Sequence, residues 1–256
     1  MPLQQVAPVL SNIQIAEGIF LLTLESKEIA QLARPGQFVN IRSTDGSLPF
    51  LRRPFSISHV HEDSIDLMFN IVGQGTRMMA SRRVGDTLDV LGPLGKPFGY
   101  EAHFETAILV GGGLGVAPFP LLTRYLKKHS KKITTFLGAR TSRHIVSTNL
   151  ENIQIATDDG SSGFHGTVVS SLESYWGSHA LPGPKIFGCG PTPMLRALSE
   201  TAQKLHIACE LSLEGDMACG VGLCQGCPVE TTKGERKYAL VCIEGPTFNC
   251  NDIILR

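Results

Sequence analysis

The chain has 256 residues, enough for two medium domains with proper cores and a small additional unit. Its 23 basic and 23 acidic side chains cancel to a formal net charge of zero, which removes the electrostatic footprint expected of a nucleic-acid binder or a ligand of anionic membranes. Seven cysteines, an odd number with four in metal-ligand spacing, argue against a disulfide framework and for a reducing cytoplasm.

Lys27 is the first basic residue, so the charged start of a signal peptide is missing and none is expected. From Val6 to about Leu94, short runs rich in Val, Ile, Phe and Leu alternate with turn residues, and strands are predicted over 19–24, 37–41, 54–60, 65–72 and 88–91. That spacing suggests an all-β barrel or sandwich. One helix interrupts it, over 76–83, behind the turn Gly73-Gln74-Gly75-Thr76.

From about residue 105 the texture changes to alternating strands and helices. Strand 106–110 runs into Gly111-Gly112-Gly113-Leu114-Gly115-Val116-Ala117-Pro118 and then a helix to about 128; strands 133–137, 153–157 and 185–187 follow, with helices over 168–176 and 191–205. Alternation of this kind implies a doubly wound parallel sheet with its ligand at the carboxyl ends of the strands. The uncharged run 107–122 is too short and too glycine-broken for a membrane span, and no membrane contact is expected. The expected units are therefore an antiparallel β-barrel over 1–100, an α/β nucleotide domain over 101–207, and a glycine- and cysteine-rich tail over 208–256.

Four short motifs carry chemistry along this frame. Arg52-Arg53-Pro54-Phe55-Ser56 sets an arginine beside an aromatic ring and a hydroxyl on one strand, suited to a pyrophosphate and a planar ring, or else simply a strand with one wet face. Gly75 and Thr76 open a helix whose free amides can seat a phosphate, or form a plain capped turn. Gly111, Gly112, Gly113 and Gly115 make a glycine-dense strand-to-helix turn, where a dinucleotide phosphate binds or two elements merely pack closely. Gly188-Cys189-Gly190-Pro191 ends the last predicted strand, where a nicotinamide would lie; Cys189 is otherwise an ordinary buried thiol. Asp158-Asp159 reads either as a polar lip of the nucleotide site or as a solvated turn. The eight histidines are scattered without a metal motif and read as surface or structural residues.

The densest signal lies in the tail. Cys219, Cys224, Cys227 and Cys242 stand in the spacing C-x4-C-x2-C-x14-C, that of a plant-type [2Fe-2S] cluster. Three thiolates converge from a short loop only if its backbone can curl, and Gly220, Gly222 and Gly226 supply that freedom. A structural zinc site would prefer two short cysteine pairs, and unliganded core cysteines would be scattered. These two readings remain beside the iron–sulfur one, and an absorbance spectrum separates zinc from a coloured cluster.

In this order the motifs resemble the iron–sulfur flavoprotein subunits of NAD-dependent, type 1B dihydroorotate dehydrogenases, within the ferredoxin–NADP reductase superfamily. The similarity covers essentially the whole chain, and its most specific pieces are the segments 217–224 and 241–248. It implies an FAD-binding barrel, an NAD-binding domain and a [2Fe-2S] tail touching a separate FMN-containing catalytic subunit, with two copies of each. It carries Arg53, Pro54, Phe55 and Ser56 over as flavin and pyrophosphate contacts, Gly75 and Thr76 as the phosphate seat, and Met68, Phe69 and Asn70 as a further FAD-contacting strip. Asn70 departs from the pattern, since a basic residue is common there; Cys209 and Cys250 lie outside the cluster motif. The implied activity, in pyrimidine biosynthesis, passes electrons from dihydroorotate through the partner's FMN, the cluster and FAD to NAD+, with no side chain of this chain doing acid–base work on a substrate. The flavin subunit of an NAD(P)-linked ferredoxin oxidoreductase or sulfhydrogenase is similar in architecture; there the first cluster ligand is often aspartate. Arg140 and Arg143 fit a 2′-phosphate or a solvated loop equally, and NAD is expected on the resemblance.

Overall fold

A computed structural model describes residues 2–44, 46–179, 181–232 and 236–256. Six strands, β1 (Leu3–Ala16), β2 (Ile19–Glu25), β3 (Phe38–Arg42), β4 (Arg53–Val60), β5 (Ser64–Asn70) and β6 (Thr87–Leu94), close an antiparallel barrel in the order β1-β2-β5-β4-β3-β6. Val39, Ile41, Ile57, Leu67 and Val90 point inward and are fully buried, the period-two pattern of a pleated strand with one face in a core. Helix α1 (Lys27–Leu32) adds to the single helix expected here; at six residues, with only Ile29 and Ala30 buried, it carries little periodic signal. Helix α2 (Gln74–Ala80) begins two residues earlier than predicted, because Thr76 caps it from inside the first turn.

The second sheet has the order β10-β9-β8-β7-β11-β12-β15, built from β7 (Thr106–Gly112), β8 (Lys132–Ala139), β9 (Ile153–Thr157), β10 (Phe164–His165), β11 (Pro184–Cys189), β12 (Ala208–Ser212) and β15 (Thr247–Asn249). All pairs are parallel except β12 with β15. Helices α3 (Phe119–Lys128), α4 (Val168–Trp176) and α5 (Thr192–Lys204) make the crossovers. The first strand of this unit, β7, lies between β8 and β11, so the chain reverses direction across the sheet there, and the carboxyl ends of β7 and β11 flank a crevice. Among the described residues no helix is long and apolar enough to cross a membrane.

The tail is sewn into both larger units. Ala208–Ser212, counted with the tail in the sequence, is hydrogen-bonded into the parallel sheet, and β15 returns to pair with it. Between them stand β13 (Pro228–Thr231) and β14 (Tyr238–Leu240), with β16 (Ile253–Ile254) beside β13. The Lys96 amide donates to Gly245 O, and Thr247 Oγ1 donates to Pro97 O at 2.8 Å, tying the tail to the barrel's exit. One apolar core joins all three parts: Phe38 and Leu94 from the barrel, Ile186 and Leu211 from the sheet, and Cys227, Val241 and Cys242 from the tail.

Candidate cofactor sites

A cavity of about 480 Å³ opens between barrel and sheet. Arg53, Pro54, Phe55 and Ser56 line it from β4, Met68, Phe69 and Asn70 from β5, and Thr76 from α2; Cys189 reaches it from β11. Two strands of one barrel thus bring together, at neighbouring ends, residues about fifteen apart in sequence. Phe69 is stacked on Phe20 at 5.6 Å and meets Phe55 edge-on at 5.9 Å, which stiffens this wall.

The two arginines that open β4 divide their work. Arg52 Nη2 is bound to Asp89 Oδ2 at 2.5 Å and its Nη1 to the Asp89 carbonyl, so its charge is neutralised on the barrel's flank. Among the described residues Arg53 donates only to the carbonyls of Leu51 and Arg52, and it alone of the pair faces the cavity. A guanidinium without a carboxylate partner among the described residues, beside Ser56 and Thr76, is the donor set that a diphosphate requires. The Thr76 hydroxyl accepts from the amides of Val72 and Gly73 and donates to Gly73 O, so it holds its own turn. A phosphate there would be met by the free first-turn amides. Gly75 packs with its Cα side toward Ser43 and Pro49; a methyl group there would stand 3.2 Å from Ser43 Oγ.

On the sheet side, Gly115 lies against the end of β11: an added Cβ would stand 2.1 Å from Cys189 O. Gly112 approaches Met194 and Pro191 in the same way, and Gly190 has φ +153° with its Cα against Gly112. Gly111, Gly112, Gly113, Gly115, Cys189 and Gly190 therefore form one close crossing of two strand-to-helix turns at the sheet's switch point, with Gly113 open to solvent on its Cβ side. Burial pushes the Cys189 thiol up to about 12, with Glu214 adding to the effect against a hydrogen bond from Ser212, so it stays a neutral thiol.

Sequence reasoning missed the cavity's third wall. Ser212, Leu213, Glu214, Gly215, Asp216 and Met217, together with Phe38 and Pro246, form it. Glu214 is open to the cavity yet ringed by protein, and that burial raises its carboxyl above the ordinary range. No motif marks this stretch; its signal is position, between the end of a sheet strand and the cysteine loop.

That loop begins two residues beyond the wall. Gly220 (φ +68°) and Gly222 (φ +81°) turn it through backbone conformations that side chains avoid. The amides of Val221 and Cys224 donate to Cys219 Sγ at 3.5 and 3.4 Å, Gly226 donates to Cys224 Sγ at 3.4 Å, and Cys242 donates to Cys227 Sγ at 3.4 Å. Asn40, a buried polar residue on β3, donates its side-chain amide to Cys219 O at 3.2 Å and holds the loop to the barrel. Sequence reasoning missed Asn40 as well, although an asparagine in the apolar run of β3 is itself a signal.

The sulfurs sit as two pairs, Cys219 with Cys224 and Cys227 with Cys242, and the two pairs feel each other through Cys219 and Cys242. No three of them have sulfurs within 4.8 Å of one another, as four thiolates gathered on a single tetrahedral ion would. Two pairs side by side instead fit a two-iron cluster with one pair on each iron. Burial raises the Cys219 thiol, but the amide donors of Cys224 and Val221 outweigh it and bring it down to about 7; burial and the neighbouring Cys227 push Cys242 up to about 12. Two adjacent buried sulfurs can both be thiolates only against a bound cation, so the donor set suits a metal cluster. Cys224 and Leu223 face solvent, Leu223 at 84% exposure, while Cys227 and Cys242 are buried.

The segment 214–254 matches the family model for the iron–sulfur cluster binding domain of dihydroorotate dehydrogenase B. The dihydroorotate dehydrogenase B (NAD(+)) electron transfer subunit of Bacillus caldolyticus is 36% identical over 249 residues, covering 94% of this chain and 95% of that protein. Its counterpart from Fusobacterium nucleatum is 34% identical, covering 94% and 95%. Among solved structures, an NADH-dependent reduced ferredoxin-NADP oxidoreductase superposes with a TM-score of 0.86 at 27% identity, over 98% of this chain and 90% of that one. The ferredoxin reductase of carbazole 1,9a-dioxygenase shares the fold, with a TM-score of 0.65 at 21% identity over 80% and 67% of the two chains. With full-length relatives above 30% identity and a matching cluster domain, the chain belongs to the family of dihydroorotate dehydrogenase B electron transfer subunits.

Proposed function

We propose that this chain is the electron-transfer subunit of an NAD-dependent dihydroorotate dehydrogenase, holding FAD in the interdomain cavity and a [2Fe-2S] cluster on Cys219, Cys224, Cys227 and Cys242. The observation that carries this reading is adjacency: Met217 lines the cavity and Cys219, two residues on, offers the first thiolate. When bound, the cluster supplies single-electron transfer and the flavin exchanges electron pairs with NAD+, so the chemistry belongs to the cofactors.

The chain's own residues bind, orient and exclude water. Arg53 would neutralise the diphosphate, Ser56 and the β4 backbone would address the flavin ring, and Met68, Phe69 and Asn70 would contact it from β5. The crossing of Gly111–Gly115 with Cys189–Gly190 would seat the dinucleotide co-substrate at the carboxyl ends of β7 and β11, with the open backbone at Gly113 available to its phosphates. NAD is favoured over NADP on family grounds.

On the opposite side, the exposed Leu223 and Cys224 give the cluster loop an outward face, with Ile243 at 47% exposure nearby in the tail. This face docks an FMN-containing dihydroorotate dehydrogenase catalytic subunit, two copies of each chain forming the complex. A cytoplasmic setting goes with this reading, in which four of the seven cysteines are cluster ligands rather than disulfide partners. The flavin subunit of a ferredoxin-linked oxidoreductase is the second reading, favoured by the 0.86 superposition; Cys219 in place of an aspartate weighs against it.

The test is Cys224→Ser in the reconstituted complex. Coupled oxidation of dihydroorotate and reduction of NAD+ should fall by at least tenfold, while NADH reduction of a dye at the flavin persists. A coupled rate equal to wild type overturns the cluster's place in the path. Coupling to ferredoxin but not to dihydroorotate supports the second reading.

A further inference from the structure

The scattered histidines of the sequence are not all isolated in the fold. Among the described residues one group of three side chains has metal-ligating atoms within 4.8 Å of one another: His59, His61 and Asp66. They lie on the barrel, away from the cavity. His59 is six residues along β4 from Arg53, about 20 Å at the rise of a strand.

A β-bulge builds the group. Ile57 pairs with Leu67 and His59 with Asp66, so two steps along β4 match one along β5. In an unbroken ladder Ser58 would face Asp66; the extra residue re-aims His59 onto it instead. Asp66 also pairs with Thr23 across β5 and β2, and the Thr23 hydroxyl donates to Asp66 Oδ1 at 2.8 Å. Oδ2 stands 2.9 Å from His61 Nε2. Among the described residues the buried His59 Nδ1 has no hydrogen-bond partner, a polar atom left unsatisfied beside the Thr23–Asp66–His61 contacts. The Asp66 side chain is 10% exposed and that of His61 51%, so the group has a closed floor and an open roof.

We propose that His59, His61 and Asp66 bind one divalent transition-metal ion of the zinc class, with water in the remaining positions. Two imidazoles and a carboxylate select zinc, nickel or copper over magnesium or calcium, which prefer oxygen ligands alone. Arg124, held on the neighbouring Val60 carbonyl, adds a positive charge that opposes any divalent cation, so binding here rests on the imidazole and carboxylate bonds rather than on charge alone. Metal–ligand bonds of about 2.0–2.1 Å place tetrahedral ligand atoms about 3.3 Å apart, within reach of side-chain rotation here. The Thr23 hydroxyl orients the carboxylate as an outer support.

The probe is Zn2+ itself, titrated into the flavin- and cluster-loaded complex against a chromophoric chelator, so that the four cluster cysteines are already occupied. His61→Ala changes a half-exposed side chain, and Asp66→Asn keeps the shape and the Thr23 contact. Wild type should bind one equivalent, both variants should bind at least tenfold more weakly, and zinc should raise the Tm of wild type but not of the variants. The absence of a zinc equivalent, equal affinity in wild type and both variants, or displacement of zinc by millimolar Mg2+ would each overturn the proposal.

Discussion

Substituting Gly220 with alanine tests how the cluster loop is held. Gly220 has φ +68°, and an added Cβ would stand 1.9 Å from Asn40 Nδ2, the amide that binds Cys219 O. The left-handed backbone costs a side chain roughly 1–2 kcal/mol. Displacing Asn40 leaves a buried amide and a carbonyl without partners, at roughly 1–3 kcal/mol. Together, about 2–5 kcal/mol shifts the loop away from its binding shape by about thirtyfold to a few thousandfold. Iron and acid-labile sulfide per chain, and the lifetime of the visible absorbance against a chelator, read this directly; both should fall sharply. Gly18, at φ +71° with nothing within 4 Å of an added Cβ, is the control: Gly18→Ala carries the backbone strain alone and should keep its cluster. Asn40→Ala combined with Gly220→Ala removes the clash and should recover part of the loss. Full iron and an unchanged chelator lifetime in Gly220→Ala would refute the reasoning, as would equal losses at Gly18.

Arg53→Ala removes a charge-assisted contact of roughly 1.5–3 kcal/mol, so FAD affinity should drop about ten- to hundredfold, whereas Arg52→Ala should lower Tm and leave affinity nearly unchanged; full flavin content in purified Arg53→Ala would count against the site. Burial raises the Glu214 carboxyl in the folded chain, which then binds more protons than the unfolded one, so stability falls as pH rises through the ordinary glutamate range and levels off above the raised value. Glu214→Gln is neutral throughout, and flavin-depleted variant should gain Tm relative to wild type between pH 4 and pH 7; a pH-independent difference contradicts the assignment. Leu223→Glu places a charge on the outward face of the cluster loop and should abolish co-elution with the catalytic subunit in gel filtration while iron content stays full. Normal assembly would move the docking face elsewhere.

The barrel, the parallel sheet and the cysteine loop are legible because each repeats a local pattern: short apolar runs between turns in the barrel, apolar runs ending in glycine turns at β7 and β11, and the cysteine spacing itself. Strand β1 was not singled out, since over its 14 residues only Ala7 and Val9 are buried while Val6, Leu10 and Ile13 face outward, so alternation and exposure conflict. The residues 212–217 and Asn40 are a different kind of omission. Their roles come from where three units meet, and no local period records a meeting between segments about 180 residues apart. The same holds for His59 and Asp66, whose juxtaposition depends on a bulge that leaves no clear mark in the sequence.

Strand β3 bears on motion. Phe38 forms part of the interdomain cavity wall and Asn40, the next residue on the same face, holds the cysteine loop, so the two contacts stand about 7 Å apart along one strand. Domain pairs rock against each other over microseconds to milliseconds. Tunnelling rates fall steeply with each added ångström, and a swinging gap would turn that rocking into noise in the rate. With Phe38 and Asn40 on one strand, any rocking that moves β3 moves the cavity wall and the hold on the cysteine loop together.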